Sequence, residues 1–238
     1  MRTLVLQHIA CEPPGVYEDV LLDRGATIDR VELDEGERLP DWRGFDVIVA
    51  MGGPMSVNDE LEHPWLVHEK RLIREAVSAG VGFWGACLGL QLLAASLGAP
   101  VYAGATPEVG VLPVVLTDEG AADPVLSGLP RELATLQWHG DTFDLPQGAV
   151  RLAGSPAYPN QAFRWGRAAY GVQFHLEVTG AMAREWAQVP AYVDSLERTL
   201  GAGSAERLFA DFDAAAAAMQ DHARAMFERW IDVATADR

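Results

Sequence analysis

The chain has 238 residues, 49% of them apolar, with a formal charge of −16 from 34 acidic and 18 basic side chains. No surplus of cations exists to neutralise phosphates, which excludes nucleic acid as a partner. Two cysteines, Cys11 and Cys87, are too few for a disulfide framework or a cysteine-based zinc site, and no run approaches the ~18 apolar residues of a membrane span.

The length suits one α/β domain with an appendage. The segment Met1–His8 is charged too early and apolar too briefly for a signal peptide, so a cytoplasmic protein without a membrane partner is expected. Thr3–Leu6 reads as a first strand, and a helix around Tyr17–Arg24 stops at Gly25. Thr27–Leu33 alternates as a second strand. Phe45–Met51 is a continuous apolar run of the kind found in a parallel strand covered on both faces, and it ends in the turn Gly52-Gly53-Pro54-Met55-Ser56. A helix over Trp65–Ala79 places Leu66, Leu72, Ile73, Ala76 and Val77 near one face, with Gly80 closing it. A buried strand over 81–86 and a helix over 88–97 follow, with Gly98 and Pro100 as stop signals.

This alternation predicts a doubly wound, mostly parallel sheet flanked by helices, of flavodoxin-like type. Ligands of such sheets sit at the carboxyl ends of strands, where both the Gly52-Gly53 turn and Cys87 fall. The middle of the chain differs. Val109–Leu116, Ala134–Trp138, Val150–Ala153, Gln161–Trp165 and Ala168–Phe174 are short strand candidates with no long helix between them. An antiparallel extension or a continuation of the sheet is expected there. From about Thr179 the chain reads as helical, and Glu206–Val233 carries Leu208, Phe212, Met219, Phe227 and Trp230 at helical spacing, as a helix packed on the core would. The boundaries expected are a catalytic domain over 1–185 and a helical extension over 186–238.

Cys87 carries the chemistry. It stands at a strand-to-helix turn with Gly85 and Gly89 two residues to either side, the layout of a nucleophile elbow. A thiol at a helix N-terminus is favoured as thiolate by the unpaired N–H groups there. Its proton carrier is sought among six histidines. His175 follows the strand Tyr170–Phe174 and precedes Glu177 by two residues, so both side chains lie on one side of an extended chain. Cysteine, imidazole and orienting carboxylate form a triad by role. His63, His68 and Glu69 have a spacing that suggests a metal, but no further ligand cluster accompanies them, and none is expected to bind. Cys11 reads as a small buried residue.

Four segments, Gly52–Ser56, Gly85–Gln91, Trp138–Asp141 and Tyr170–Glu177, together resemble the class I (triad-type) glutamine amidotransferases, most closely the amidotransferase part of GMP synthetase and its stand-alone relatives. Leu176 departs from the proline common in that family between His and Glu. The resemblance implies that Cys87 attacks the carboxamide of L-glutamine to form a γ-glutamyl thioester, that the N–H groups of Leu88 and Gly53 hold the oxyanion, and that His175, oriented by Glu177, moves the proton. It further implies that Gln91 helps hold the substrate amide and that the backbone of Trp138, His139, Gly140 and Asp141 receives the amino-acid end. Gln91 as a cap, and His139 and Asp141 as structural residues, remain open readings. No cofactor is implied. The chain is too short for an ATP-using synthase domain, so the implied acceptor of ammonia is a synthase on a separate polypeptide, and self-association is compatible with the sequence. A γ-glutamyl peptide hydrolase using the same residues, or a catalytically silent binding protein of the same fold, stands as the alternative. Glu108, in a stretch that also looks family-like, receives no physical role from the sequence.

Overall fold

Residues 1–236 are described in the computed structural model, so the last two residues of the 186–238 segment lie outside the described residues. The strands β1 (Arg2–Gln7), β3 (Val47–Ala50) and β4 (Gly82–Ala86) are buried at nearly every position because both of their faces are covered. Leu4, Leu6, Ile48 and Phe83 point into one buried cluster, against α2 (Trp65–Ser78) and α3 (Leu88–Ser96). Val5, Val47, Val49 and Trp84 point into the other, against α1 (Val16–Asp23) and α7 (Ala205–Thr235). Alternate residues of one strand thus serve two cores, which is why the sequence shows runs rather than alternation.

With β2 (Thr27–Glu32) and β9 (Ala169–Val172), these strands form a parallel half in the order β2-β1-β3-β4-β9. Beyond β9 the sheet continues antiparallel through β8 (Ala162–Trp165), β7 (Ala149–Gly154), β5 (Val101–Leu116) and β6 (Glu132–Phe143). The extension and the continuation expected of the middle segment are therefore one nine-stranded mixed sheet. Two strands are longer than their patterns suggest. β5 starts at Val101 and β6 runs on to Phe143, because Val101–Ala103 pairs with Asp141–Phe143 after a register break between Ala103 and Glu108. That break interrupts the period of two by which strands are read.

The sheet curls back on itself. Just past β9, His175 N–H donates to the Leu136 carbonyl of β6 at 2.9 Å, and Leu136 N–H returns a bond to the His175 carbonyl at 3.1 Å. The edge strand is thereby brought against the C-terminal end of the parallel half. Behind that half, α7 closes the core. Phe227 stacks on Tyr17 with centroids 4.6 Å apart and meets Trp84 edge-on at 5.4 Å, while the Trp230 indole N–H donates to the Ala168 carbonyl at 3.0 Å. The short α4 (Asp118–Ala122) lies between β5 and β6, and two further helices, α5 (Gly180–Trp186) and α6 (Pro190–Leu200), link β9 to α7.

Candidate active site

The turn from β4 into α3 is tight. Cys87 has φ 50° and ψ −105°, and it is the only non-glycine residue with positive φ among the described residues. Such a conformation costs about 1–3 kcal/mol and persists only where the surroundings enforce it. They do so here through close packing. A Cβ on Gly85 would lie 2.5 Å from the Gly89 carbonyl, and one on Gly89 would lie 2.1 Å from the Ala50 carbonyl oxygen, so α3 sits directly on β3 and β4. The Cys87 N–H donates to Val172 O at 2.8 Å and ties the turn to β9. Leu88 is the first residue of α3, and its N–H belongs to the turn that has no intrahelical acceptor.

His175 and Glu177 meet as their spacing suggests. The imidazole Nδ1 shares a 2.7 Å hydrogen bond with Glu177 Oε1, and the Cys87 sulfur lies near enough to the same ring to act on its charge. Burial acts to lower the basicity of His175, but the Glu177 carboxylate and the Cys87 sulfur outweigh it and hold the imidazole well above its ordinary pKa. The second carboxylate oxygen, Glu177 Oε2, accepts the Leu176 N–H at 3.0 Å. Leucine at the position where proline is common thus supplies a donor that proline lacks. Gln173 Nε2 donates to Cys87 Sγ at 3.4 Å. A nucleophilic sulfur, a proton carrier and an orienting carboxylate in mutual reach suit acyl transfer.

A cavity of about 430 Å³ opens onto Cys87. Gly53, Gln91 and the segment Trp138–Asp141 line it, together with Tyr192, Asp194 and Arg198 of α6. His175, Glu177 and Leu88 do not line it and are buried beside it. Gln91 Nε2 donates to Gln173 Oε1 at 3.1 Å, which links it to the sulfur through one side chain. The side chains of His139 and Asp141 are committed to their neighbours. His139 places one ring nitrogen 3.1 Å from Glu108 Oε2 and the other 3.0 Å from the Asp141 carbonyl, and Ser56 donates to the Asp141 carboxylate at 2.7 Å. What this segment presents to the cavity is therefore held in place from behind. Glu108 is the hub: it also accepts from Ser155 at 2.8 Å and from Gln161 at 2.6 Å. Burial would raise its pKa, but the His139 and Ser155 contacts hold its carboxyl below the usual range.

Several residues at the site escaped the sequence reading. Glu12 is buried with its carboxylate against Gly52, where a Cβ would fall 2.0 Å from Glu12 Oε2 and 3.3 Å from His175 Cε1. The Tyr192 hydroxyl of α6 donates to Glu12, and burial pushes the Glu12 carboxyl above its usual pKa. Trp186 of α5 meets the His175 ring edge-on at 4.7 Å, and its indole N–H donates to the Cys11 carbonyl at 2.9 Å. Cys11 itself is only half-buried, because its turn follows β1 at the rim of the site. Glu69, considered above with His63 and His68, instead pairs with His8 at 2.9 Å, and no group of three or more potential ligands suited to a metal occurs among the described residues. One signal was available for His8 and Glu12: His8 follows directly on the parallel strand β1 and Glu12 lies in the loop after it, where sites of this architecture lie.

Residues 17–185 match the family model for class I glutamine amidotransferases. The chain is 36% identical over 183 residues to the glutamine amidotransferase-like protein YfeJ of Salmonella typhimurium, a match covering 75% of this chain and 77% of that one. It is 33% identical over 170 residues to one subunit of the glutamine-hydrolysing GMP synthase of Saccharolobus solfataricus, covering 69% and 85% of the two chains. A solved glutamine amidotransferase from Thermotoga maritima superposes with a TM-score of 0.87 over 98% of both chains, at 32% identity. Among the described residues, no helix is long and apolar enough to cross a membrane.

Proposed function

The chain belongs to the class I glutamine amidotransferase family, and from that premise we propose that it hydrolyses the side-chain amide of L-glutamine to glutamate and ammonia. The observation that carries this reading is the strained Cys87 turn, with its sulfur near enough to the His175 imidazole to act on its charge and Glu177 on the ring Nδ1 at 2.7 Å. Cys87 Sγ attacks the carboxamide carbon. The oxyanion is held by the N–H groups of Leu88 and Gly53, contacts worth about 10²–10³ in rate apiece. His175 carries a proton to the departing ammonia as the C–N bond breaks, leaving a γ-glutamyl thioester. Water then attacks the thioester with His175 as base, the C–S bond breaks, and glutamate leaves with the thiol restored. Gln91 and the backbone of Trp138, His139, Gly140 and Asp141 hold the substrate.

The ammonia goes to a synthase carried on a separate polypeptide, in keeping with the Saccharolobus protein, whose name makes it one subunit of a synthase. A glutaminase assay on purified protein, alone and with candidate synthase partners, tests the reading. Wild type turns over glutamine and Cys87→Ala does not; a wild type inert under every condition, or an active Cys87→Ala, refutes it.

A second reading is favoured by one observation. The cavity, at about 430 Å³, lies in the range that accommodates drug-sized ligands, and Asp194 and Arg198 add charged groups to its lining that a leaving group larger than ammonia can meet. A γ-glutamyl amide hydrolase uses the same residues. Turnover on γ-glutamyl dipeptides compared with glutamine separates the two.

A further inference from the structure

His8 and Glu69 are wholly buried, and the triad chemistry leaves them without a task. Their side chains are 0% exposed, yet both belong to residue types that rarely lie inside a protein unpaired. His8 follows the last residue of β1, and Glu69 sits on the buried face of α2 between Leu66 and Ile73. His8 Nε2 lies 2.9 Å from Glu69 Oε1, and its Nδ1 lies 3.2 Å from the carbonyl oxygen of Gly52. The Gly52 carbonyl only accepts, and the Glu69 carboxyl accepts as well when ionised; both ring nitrogens then donate, and the ring is an imidazolium balanced by that carboxylate. Burial opposes that charge, but Glu69, the Gly52 carbonyl and the nearby Glu12 carboxylate overcome it and raise the His8 pKa. Trp65 stacks on the ring at 5.5 Å and fixes its plane.

The carbonyl that His8 grips belongs to the peptide unit whose N–H is that of Gly53. No cis peptide bond occurs among the described residues, and in a trans unit the carbonyl and the N–H point in opposite directions. Holding Gly52 O at His8 therefore turns the Gly53 N–H away from His8. Gly53 and Cys87 line the same cavity, and a Cβ on Gly53 would lie 2.7 Å from Met55 Sδ, 2.9 Å from His8 Cβ and 3.2 Å from Leu88 Cδ2, so the residue is closely packed between His8 and the start of α3. A peptide flanked by two glycines is the kind most free to flip, because neither residue resists positive φ. It needs an anchor to act as a preorganised donor.

We propose that His8, held by Glu69, is a positioning residue that fixes the Gly52–Gly53 peptide so that the Gly53 N–H stays aimed at the oxyanion formed on Cys87. This rests on the reading of Cys87 and Gly53 given above. The imidazolium also polarises the amide and strengthens its N–H as a donor, since hydrogen bonds in a chain reinforce one another. Glu69 supplies the countercharge without which a buried cation at this place would not persist.

The test uses the full chain and two variants that differ in which bond they keep. In His8→Gln the side-chain amide reaches Glu69 but leaves the Gly52 carbonyl ungripped. In the double variant His8→Asn with Glu69→Gln, the asparagine amide occupies the place of Nδ1 and donates to Gly52, while no buried carboxylate is left unpaired. His8→Gln is expected to lower kcat on glutamine by about 10–1,000-fold, up to the full loss of one oxyanion donor. Glutamine affinity, measured in a Cys87→Ala background, and the rate of Cys87 alkylation by iodoacetamide stay within about threefold of the parent, because neither needs the oxyanion contact. The double variant returns kcat to within about tenfold of wild type. The inference is overturned if His8→Gln keeps full kcat, if the double variant is as impaired as His8→Gln, or if affinity and alkylation fall together with kcat, which marks a collapsed site. An inactive wild type or an active Cys87→Ala would instead strike the underlying reading.

Discussion

Replacing Gly89 by alanine opposes two effects of known size at the root of the elbow. Gly89 is the second residue of α3, and in a helix alanine is favoured over glycine by about 1 kcal/mol. Local propensity alone thus predicts a more stable protein. The new Cβ, however, meets the Ala50 carbonyl oxygen at 2.1 Å and its carbon at 2.7 Å, both backbone atoms of a central strand. Restoring an ordinary contact of about 3.4 Å moves the start of α3 outward by about 1.3 Å. Overpacking costs about 1–3 kcal/mol, and a 2.1 Å clash with backbone lies at the upper end of that range, so the expected net change is a loss of about 2 kcal/mol, or a fall of several degrees in Tm for a chain of this size. The shift carries Cys87, two residues upstream, away from His175. A misplacement of about 1 Å is expected to lower turnover about 100-fold, equivalent to ~2.7 kcal/mol of barrier. Urea unfolding and glutamine turnover on the same preparation measure both quantities. A Gly89→Ala protein with an unchanged or raised midpoint and full activity would refute the account of the elbow as a close-packed turn.

Glu177→Gln keeps the shape of the orienting group but loses its charge and its capacity to hold the imidazolium; kcat should fall by roughly 10²–10⁴, and steady-state kinetics decide it. For Glu12 the sign follows from its raised pKa: the folded state binds this proton more tightly than the unfolded chain, so stability is lost as pH rises from about 4.5 through the folded value. Glu12→Gln should therefore match wild type near pH 4 and be the more stable protein at pH 7–8, as read from urea midpoints across that span; a difference independent of pH would contradict it. Trp230→Ala removes a fully buried ring that packs on Phe227 and Trp84, and about 3–5 kcal/mol of stability should go with it in the same unfolding assay.

The parallel half was legible because its signals are local. Runs such as Val47–Ala50 mark strands covered on both faces, Gly80 and Gly98 close α2 and α3, and the elbow is written in seven consecutive residues. The pairing of His175 with Glu177 was readable from their spacing, although the chain bends at Leu176 and Glu177 instead of running extended as expected. The start of β5 and the end of β6 were not, because their pairing depends on a register break that no single-strand pattern encodes. Residues brought in from far along the chain were also hidden. Tyr192 reaches Glu12 across 180 positions, and Glu108 finds His139, Ser155 and Gln161 only once the antiparallel strands are aligned. Glu69 left one trace, a carboxylate on the apolar stripe of α2 that implied a buried counterpart.

Of the two thiols in the chain, that of Cys11 is pushed up to about 11 by burial and by the adjacent Glu12 carboxylate. At pH 7 only about one molecule in ten thousand then carries a thiolate there, and the thiolate is the reactive form. Electrophilic reagents at neutral pH accordingly find Cys11 a poor competitor. Mass spectrometry of the intact polypeptide can score modification events at Cys87 directly, without removing the other thiol and disturbing the turn that accepts the Trp186 indole.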